Sequence, residues 1–451
     1  MTGNRDPLIP SDPQLEGVNI DAVLNFAVTL IWPSFRLFNF APLCYRSWTF
    51  PFNDKLKVYT TLWSASYHQD TLRLSAGASP SGQVDSREQL YLRGLVLKSL
   101  REEIGKPPHL TSSDGLLMAV LFLAVNVAHR TGLRRDPNPF SPPFTDLHGL
   151  HFYGSRQYHP WHWDIVHTII NRFGGIEVIK AFALAWLLSI ADIMNAVNTL
   201  QKPIYPMLDI AGRVLDLAPP LTLFPVPVDT SGASIPPPGS AFNELSCLSP
   251  PVKQEIVSVF VEIGQLAAVL QYNAIQGNRT PPEILDLLGD CRNLVHHRLF
   301  SLPDENDDAS DYITPNTTAE PAESEGLDQT REIYLTYRLT VTLYAIHVTF
   351  PTPRIAPQQR LLSSALNLKL RGLADMGISN TLLLWPILVL FISVGEDSDV
   401  AIEWLSRLKE LCESLEIDTR DKLLHFLRGY AWVDVAFPDL EKRILEKIIE
   451  R

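Results

Sequence analysis

Cysteine is scarce in this chain, with four in 451 residues and no CxxC pair among them. Cys44, Cys247, Cys291 and Cys412 are too few and too far apart for a disulfide framework or a cysteine-ligated zinc site. The polar, proline-bearing first fourteen residues contain no apolar run of the kind that a secretory signal needs. These absences predict a protein of a reducing compartment.

Basic runs and long apolar runs are also missing. The net charge is −12, and the only concentration of Arg is the short HRTGLRR at 129–135. Proteins that bind nucleic acid through its phosphates usually present a basic face, so we expect no direct nucleic-acid binding. The longest apolar stretches, 116–128 and 382–392, are shorter than the roughly 18–20 residues that cross a bilayer. They predict buried core helices and no membrane association.

Catalytic and nucleotide-binding signatures are absent as well. The chain has no G-x-S-x-G elbow, and Gly174–Gly175 lacks both the G-x-G-x-x-G spacing and a preceding strand. DDASD at 307–311 matches the D-D-x-x-D form that holds magnesium diphosphate, but no partner motif accompanies it and a solvated acidic loop is favoured. We predict no cofactor and no enzymatic activity.

What the chain does contain is helical periodicity from end to end. Ser86 and Gln89 form a capping-box pattern, and the apolar residues that follow share one helical face. These residues are Leu90, Gly94, Leu97, Leu100 and Ile104. A long helical period also runs from 176 to 200, closed by Pro203 and Pro206. The predicted fold is all-α, a bundle-like arrangement of about a dozen helices.

Three segments interrupt this pattern and set the predicted organisation. Residues 1–18 are predicted to be disordered. A proline-rich loop occupies 218–239 within a first helical region, 19–301. An insertion at 302–330 carries nine acidic residues and no Lys or Arg, so we expect disorder there too. A second helical region, 331–451, completes the chain.

Histidines concentrate in HGLHFYGSRQYHPWHWDIVH (148–167), which holds five of the twelve. The pairs His148/His151 and His159/His162 have the spacing to chelate, but Pro160 separates them and few acidic ligands are near. Half-buried aromatic packing is the favoured interpretation, with Trp161 and Trp163 as core anchors. His167 is predicted to be a core histidine, and no metal site is assigned.

One larger pattern spans most of the chain. SSDGLLMAVLFLAVNV (112–127) is followed by WHWDIVHTIINRFGGIEVI (161–179) and LAWLLSIADIMNAVNTLQKPIYP (184–206). Their order and spacing resemble the fungal-specific transcription factor domain, the regulatory region found beside zinc binuclear clusters. The matching positions are His167, Arg172, Gly174, Gly175, Trp186, Asp192, Ala196, Pro203, Tyr205 and Pro206. PGSAF (238–242), WVD (432–434) and LLWPILVLFISVGE (383–396), with Trp385 and Pro386, extend the resemblance.

The resemblance implies a regulator of transcription in the nucleus, with the cytoplasm as the alternative location, that acts through a protein partner, a second copy or a small-molecule effector. These motif positions would be fold determinants; Asp192, on an apolar helix, would need Arg172 or a backbone donor as partner. No six-cysteine cluster occurs in these residues, so DNA binding is not carried over. A stand-alone regulator, a partner of a DNA-binding protein and a chain lacking an upstream exon remain open. The alternative is a helical enzyme or metal-binding protein whose site has no known signature.

Overall fold

The computed structural model describes residues 12–49, 54–75, 86–107, 113–126, 135–227, 236–314, 323–374, 376–439 and 446–449. Within these ranges the all-α prediction is confirmed: about 70% of the chain is helical and no β-strand is present. The described residues form eighteen α-helices where about a dozen were predicted, and the difference includes four single-turn helices.

The helices have the following bounds: α1 Ile20–Phe26, α2 Trp32–Phe35, α3 Phe40–Thr49, α4 Lys55–Ser75, α5 Arg87–Ile104, α6 Ser113–Val125, α7 Leu150–Tyr153, α8 Pro160–Phe173, α9 Leu184–Thr199, α10 Pro220–Leu223, α11 Gln254–Gln276, α12 Pro282–Phe300, α13 Glu323–Tyr344, α14 Ala356–Ala374, α15 Asn380–Val394, α16 Asp399–Ser414, α17 Arg420–Arg428 and α18 Glu446–Ile449.

Helix starts follow local chemistry. Ser86 accepts a hydrogen bond from the Gln89 amide at 3.2 Å, and Ser398 caps α16 in the same way. Proline occupies the first helical position of α8 and of α12, where its missing N–H costs no hydrogen bond. The capping residues and prolines that can be recognised in the sequence therefore mark where these helices begin.

The N-terminal half is built around α4, which is buried along most of its length. Helices α1, α5 and α6 pack against it, and α6 in turn packs against α8 and α9. A helix covered on several sides has little amphipathic character, and α4 carries apolar and small polar residues all round.

The C-terminal half is organised around a ring cluster centred on Trp385 of α15. The indole stacks on Tyr430 at 5.4 Å between ring centroids and meets Phe242 edge-on at 5.5 Å. Tyr337 and Tyr344 complete the cluster. The two halves share one continuous apolar core that extends from Leu15 to Ile448.

Helix α12 joins the halves, since it packs against both α9 and α11. Its buried Asp286 accepts hydrogen bonds from two backbone amides, those of Leu37 and Phe38. Asp290, one turn later, receives a bidentate bond from Arg36 at 2.7 and 2.8 Å. These contacts tie the turn after α2 to the middle of the molecule.

Parts of both segments that were predicted to be disordered are ordered in the structure. In the first, residues 1–11 lie outside the described residues, but Leu15 is buried and Tyr59 donates a hydrogen bond to Asp12 at 2.5 Å. In the acidic insertion, Tyr312 and Ile313 are buried and form backbone contacts with 251–253. Helix α13 begins at Glu323, which leaves 315–322 outside the described residues. A few apolar side chains anchor segments whose average composition predicts disorder.

Two further boundaries differ from expectation. The helix predicted from 176 begins at Leu184, because Ile176–Val178 forms a separate 3-10 turn and Ala183 adopts a positive φ of 59°. In the proline-rich segment, α10 forms a helical turn and Phe224 is buried, while 228–235 lie outside the described residues.

Helix α5 turns an unexpected face to solvent. Its buried side carries Leu92, Leu95 and Val96. Of the apolar face identified in the sequence, Leu100 packs against the core, whereas Leu90, Leu97 and Ile104 lie outward, each between 46% and 65% exposed. We call Leu90, Gly94, Leu97, Arg101 and Ile104 the α5 stripe.

Helix α11 is the single helix, among the described residues, that is long and apolar enough to cross a membrane by length and composition. More than half of its apolar window is buried against the rest of the chain. It is packed as a core helix of this fold.

Candidate functional site

Three of the motif residues meet at one point between α8, α9 and the segment that follows α9. The His167 ring hydrogen-bonds through Nδ1 to the Tyr205 hydroxyl at 2.5 Å. The Asp192 carboxylate accepts the Ile204 and Tyr205 amides at 2.6 and 2.8 Å. The chain exit after α9 is therefore tied to both helices, and we call these three side chains the motif cluster.

Asp192 is the buried carboxylate of the motif cluster. Burial raises its pKa from 3.8 to about 6, although the two amide donors act in the opposite direction. Its partners are backbone donors, one of the two possibilities predicted. The other possibility, Arg172, is exposed on α8 and does not contact it.

The glycine pair ends α8 and redirects the chain. Gly174 adopts φ 98° at the helix C-terminus, and Gly175 follows with φ 112°. A side chain at either position would be strained. The pair turns the chain toward the 3-10 turn at Ile176–Val178.

The remaining motif residues of this half divide into buried and exposed sets. Trp186 and Ala196 are buried on α9, and the indole of Trp186 meets Phe40 edge-on at 5.4 Å. Pro203 is partly covered, whereas Pro206 is exposed.

An open cleft of about 640 Å³ adjoins the motif cluster. Charged side chains line it, and Lys202 pairs with Asp307 at 2.5 Å. Its lining includes Tyr158, Trp163, Asp164, His167, Asp192, Asn195, Lys202, Ile204, Asp304 and Asp307. We call this feature the outer cleft.

A second, apolar space of about 50 Å³ lies inside the N-terminal half, between α2, α3, α4, α6 and α9. Trp32 and Trp48 meet edge-on at its wall, with ring centroids 5.8 Å apart. No residue that lines it carries a charge; the lining includes Ala27, Trp32, Phe35, Trp48, Thr61, Ser64, Ala65, Phe122, Asn126, Tyr153, Tyr158, Ile190, Ala191 and Met194. We call it the inner cavity.

Three polar atoms at the inner cavity lack a partner among the described residues. They are the Thr61 hydroxyl, the Asn126 side-chain carbonyl and the Tyr158 hydroxyl. The Asn126 amide does donate to Ser64, at 3.3 Å. Buried polar atoms are usually hydrogen-bonded, and leaving one unsatisfied costs roughly 1–3 kcal/mol. Three such atoms around one apolar space are an arrangement that a ligand or ordered water would satisfy.

Tyr158 links the two spaces, because it lines both the inner cavity and the outer cleft. Its ring packs edge-on against Trp163 at 5.2 Å. Burial raises the pKa of its hydroxyl, and the nearby Asp192 carboxylate raises it further. Tyr158 is thus a single side chain that separates an apolar chamber from the motif cluster.

Comparison with known families tests the family resemblance that the sequence motifs indicate. The profile of the fungal specific transcription factor domain matches residues 45–425, well over half of the chain. The chain belongs to this family. No curated protein and no solved structure matches the chain. The matched region contains the motif cluster and the outer cleft, and all of the inner cavity lining except the four residues between 27 and 35.

Membership of the fungal-specific transcription factor domain family gives the chain a transcription-factor-like regulatory role, and the family is regulatory rather than enzymatic. The resemblance predicted from motif order is confirmed.

The C-terminal motifs of the domain are packing units. Trp385 is fully buried and Pro386 lies inside α15. Gly239 and Gly264 approach so closely that a Cβ built on Gly264 would lie 2.4 Å from the Gly239 Cα. This contact brings residues 238–242 against α11.

The late WVD motif also packs inward. Trp432 is buried and stacks on Tyr344 at 6.1 Å, and Asp434 pairs with Arg428.

The histidine-rich segment of the domain separates into independent environments. His148 is buried and hydrogen-bonds to Asn293 at 3.0 Å, whereas His159 and His162 stack on each other at 4.3 Å near the start of α8. No cluster of three or more His, Cys, Asp or Glu with ligand geometry occurs in the described part of the chain. Of the two tryptophans predicted as anchors, Trp163 is buried, but Trp161 is 76% exposed, so that half of the prediction is wrong. Trp161 lies in the first turn of α8, about 200° round the helix from the buried Trp163.

The acidic DDASD segment is occupied by local contacts. Asp307 binds Lys202 and the Asp304 amide, and Asp308 caps the following 3-10 turn through the Ser310 amide. These bonds hold the carboxylates in a surface turn, as the solvated-loop interpretation predicts.

Sequence reasoning missed Thr61, Asn126 and Tyr158, the residues that give the inner cavity its polarity. One signal was available in VYTTLWSASYH (58–68), where small hydroxyl residues alternate with aromatic ones on a helix that is buried all round. Hydroxyl groups on such a helix need partners, which points to a polar site inside the core.

Proposed function

We propose that this domain is a ligand-responsive regulator of transcription, and that its effector binds in the inner cavity. The observation that carries the proposal is the set of three unsatisfied polar atoms in an otherwise apolar chamber. Ligand pockets are typically apolar with a few convergent polar groups that fix orientation. The family's regulatory role supports the same conclusion.

The chamber favours a small, neutral, mostly apolar molecule. No charged side chain lines the inner cavity, so an ionic ligand would be desolvated without compensation. The Asn126 carbonyl accepts a hydrogen bond, and the Thr61 and Tyr158 hydroxyls can donate one. A small aliphatic molecule of a few non-hydrogen atoms, with one donor and one acceptor, satisfies this set within about 50 Å³.

Tyr158 provides a route from the inner cavity to the surface. A ligand that hydrogen-bonds the Tyr158 hydroxyl restrains the side chain that also lines the outer cleft. The outer cleft includes His167 and Asp192 of the motif cluster, which holds the exit from α9. We infer that effector binding changes the outer cleft, where a partner protein can sense it.

We propose that these residues regulate transcription without contacting DNA themselves. The 451 residues contain no six-cysteine cluster and carry a net charge of −12, which opposes the approach of phosphate backbones. Sequence recognition would then belong to a partner or to another module, and we expect the protein to act in the nucleus.

A tethering assay in fungal cells tests the proposal. The chain is fused to a heterologous DNA-binding domain upstream of a reporter gene, and we expect reporter output to differ from that of the DNA-binding domain alone. Thr61→Val combined with Tyr158→Phe removes two polar atoms of the inner cavity at nearly constant volume, and we expect it to change the output.

Thr60→Val is the matched control. Thr60 is the neighbouring residue on α4; its hydroxyl is also buried without a partner among the described residues, but it does not line the inner cavity. We expect the output of Thr60→Val to equal that of the unsubstituted chain. An inert fusion, or equal effects of the control and the cavity variant at equal protein level, contradicts the proposal.

A further inference from the structure

The α5 stripe is an apolar seam that no helix among the described residues covers. Leu90, Gly94, Leu97, Arg101 and Ile104 recur at alternating spacings of four and three, the repeat that places residues on one line of a helix. Ile104 is 65% exposed, and Leu90 and Leu97 are each nearly half exposed. No described helix packs on this side of α5, since α4 and α6 hold the opposite side.

The charges beside the seam have one sign. At 100° per residue, Arg87, Arg93 and Lys98 fall on the two flanks of the stripe, and Arg101 lies within it. The acidic residues of α5 lie farther round: Glu102 is exposed one turn after Lys98, Glu103 is buried and pairs with Lys106, and Glu88 accepts the Asn19 amide. A basic, apolar helix face therefore stands out from a chain whose net charge is −12.

Gly94 lies in the middle of the stripe without an internal reason for being glycine. Its φ is not positive, and no atom lies within 4 Å of a Cβ built on it. Glycine inside a helix is destabilising relative to alanine. The missing side chain would let the backbone of a partner approach closely at this point.

The sign of the charges selects among possible occupants. A symmetric dimer through this face would oppose the same basic residues of two copies, which is unfavourable. An anionic bilayer would attract the stripe but repel the strongly acidic remainder of the chain. A helix with acidic flanks meets the basic residues with opposite charge and matches the spacing of the seam.

We propose that the α5 stripe is a docking surface for an amphipathic α-helix of a partner protein whose apolar seam is flanked by Asp and Glu. Leu90, Leu97 and Ile104 supply the apolar contact, Gly94 permits close approach, and the basic flanks select the partner. The proposal rests on the proposed regulatory role only in requiring a protein partner, and it does not depend on an effector in the inner cavity.

Peptide binding to the full chain tests the docking surface. The probe is a labelled three-heptad peptide with leucine at the seam positions and glutamate on both flanks; the matched peptide carries lysine in place of glutamate. We expect fluorescence anisotropy to show binding of the glutamate peptide that weakens with salt, and binding of the lysine peptide at least about tenfold weaker.

Variants of the chain locate the binding. Leu97→Glu and Arg101→Glu should each weaken the glutamate peptide by about tenfold or more. Leu368→Glu, at an exposed leucine on α14, is the matched control and should leave binding unchanged. Circular dichroism should show the same helix content and melting temperature in all three variants, since each site is exposed.

Three outcomes overturn the proposal: absence of peptide binding, binding that Leu97→Glu does not alter, and stronger binding of the lysine peptide. A dimer in sedimentation analysis that Leu97→Glu dissolves would assign the stripe to a second copy. Binding to phosphatidylglycerol vesicles that the same variant abolishes would assign it to a membrane. None of these results depends on the reporter assay, so failure here is distinguishable from failure of the proposed function.

Discussion

Replacing Asp192 by asparagine should change how stability depends on pH. The two backbone amides that bond the carboxylate both reach one oxygen, Oδ2. An asparagine carbonyl can accept both bonds, so Asp192→Asn preserves the geometry and removes only the ionisable group. Asp192→Ala would instead leave two buried amides without acceptors, at a cost of roughly 1–3 kcal/mol each.

The magnitude follows from the pKa of Asp192. Folding raises it from 3.8 to about 6, which corresponds to about 3 kcal/mol of penalty on the ionised form. Because the folded pKa is raised, the carboxyl group's favourable contribution is complete below about pH 3.8 and is lost as pH rises through about 6. The free energy of unfolding of the wild type, minus that of Asp192→Asn, should therefore fall by about 3 kcal/mol across this window.

Melting temperatures of the two proteins measure this difference. Unfolding entropy of about 2 cal/mol/K per residue makes 1 kcal/mol worth about 1 °C in a chain of this length, so the relative shift is about 3 °C. Scans should use low micromolar protein, because the window contains the isoelectric point near 5.5. A wild type that gains stability over Asp192→Asn as pH rises would refute the reasoning, since it would mean that the two amide donors outweigh burial.

Other perturbations test the packing and the histidine interpretation. Gly289→Ala would place a Cβ 2.5 Å from a buried histidine ring and should lower the free energy of unfolding by about 1–3 kcal/mol, whereas Gly94→Ala should raise it by about 0.5–1 kcal/mol; thermal denaturation compares them. Trp385→Ala empties the centre of the ring cluster and should cost roughly 3–5 kcal/mol, seen as a large drop in melting temperature or loss of soluble protein. Neither zinc nor a chelator should change the melting temperature of the wild type or of the double variant His159→Ala, His162→Ala. A zinc-dependent difference between the two proteins would revive the metal hypothesis.

Local chemistry made part of this fold predictable. The Gly174–Gly175 break and the proline helix starts depend on residues close in sequence, and the structure has them where the pattern indicates. The need of Asp192 for a partner was also visible, because a carboxylate on an apolar helix must be satisfied. Which donor satisfies it depends on the path of the chain after α9, and the helical periodicity of the sequence does not predict that path.

The features that depend on distant contacts were not predictable. Helix α5 carries apolar residues on two faces, and only its packing against α4 decides that Leu92 is buried and Leu97 is exposed. The inner cavity is assembled from five helices, so Thr61 and Tyr158 are nearly one hundred residues apart in sequence. Trp161 and Trp163 are the same residue type two positions apart on α8. They differ in burial because they point in different directions from the helix axis.

Native mass spectrometry of the domain purified from a fungal host tests the ligand claim most directly. The account predicts a neutral organic molecule bound one to one to the wild type and to Thr60→Val, and absent from the Thr61→Val, Tyr158→Phe double variant. That variant should also melt at a higher temperature than the wild type without ligand, because two unsatisfied buried hydroxyls are removed. A wild type isolated without any bound molecule, or an adduct that the double variant retains, would contradict the account.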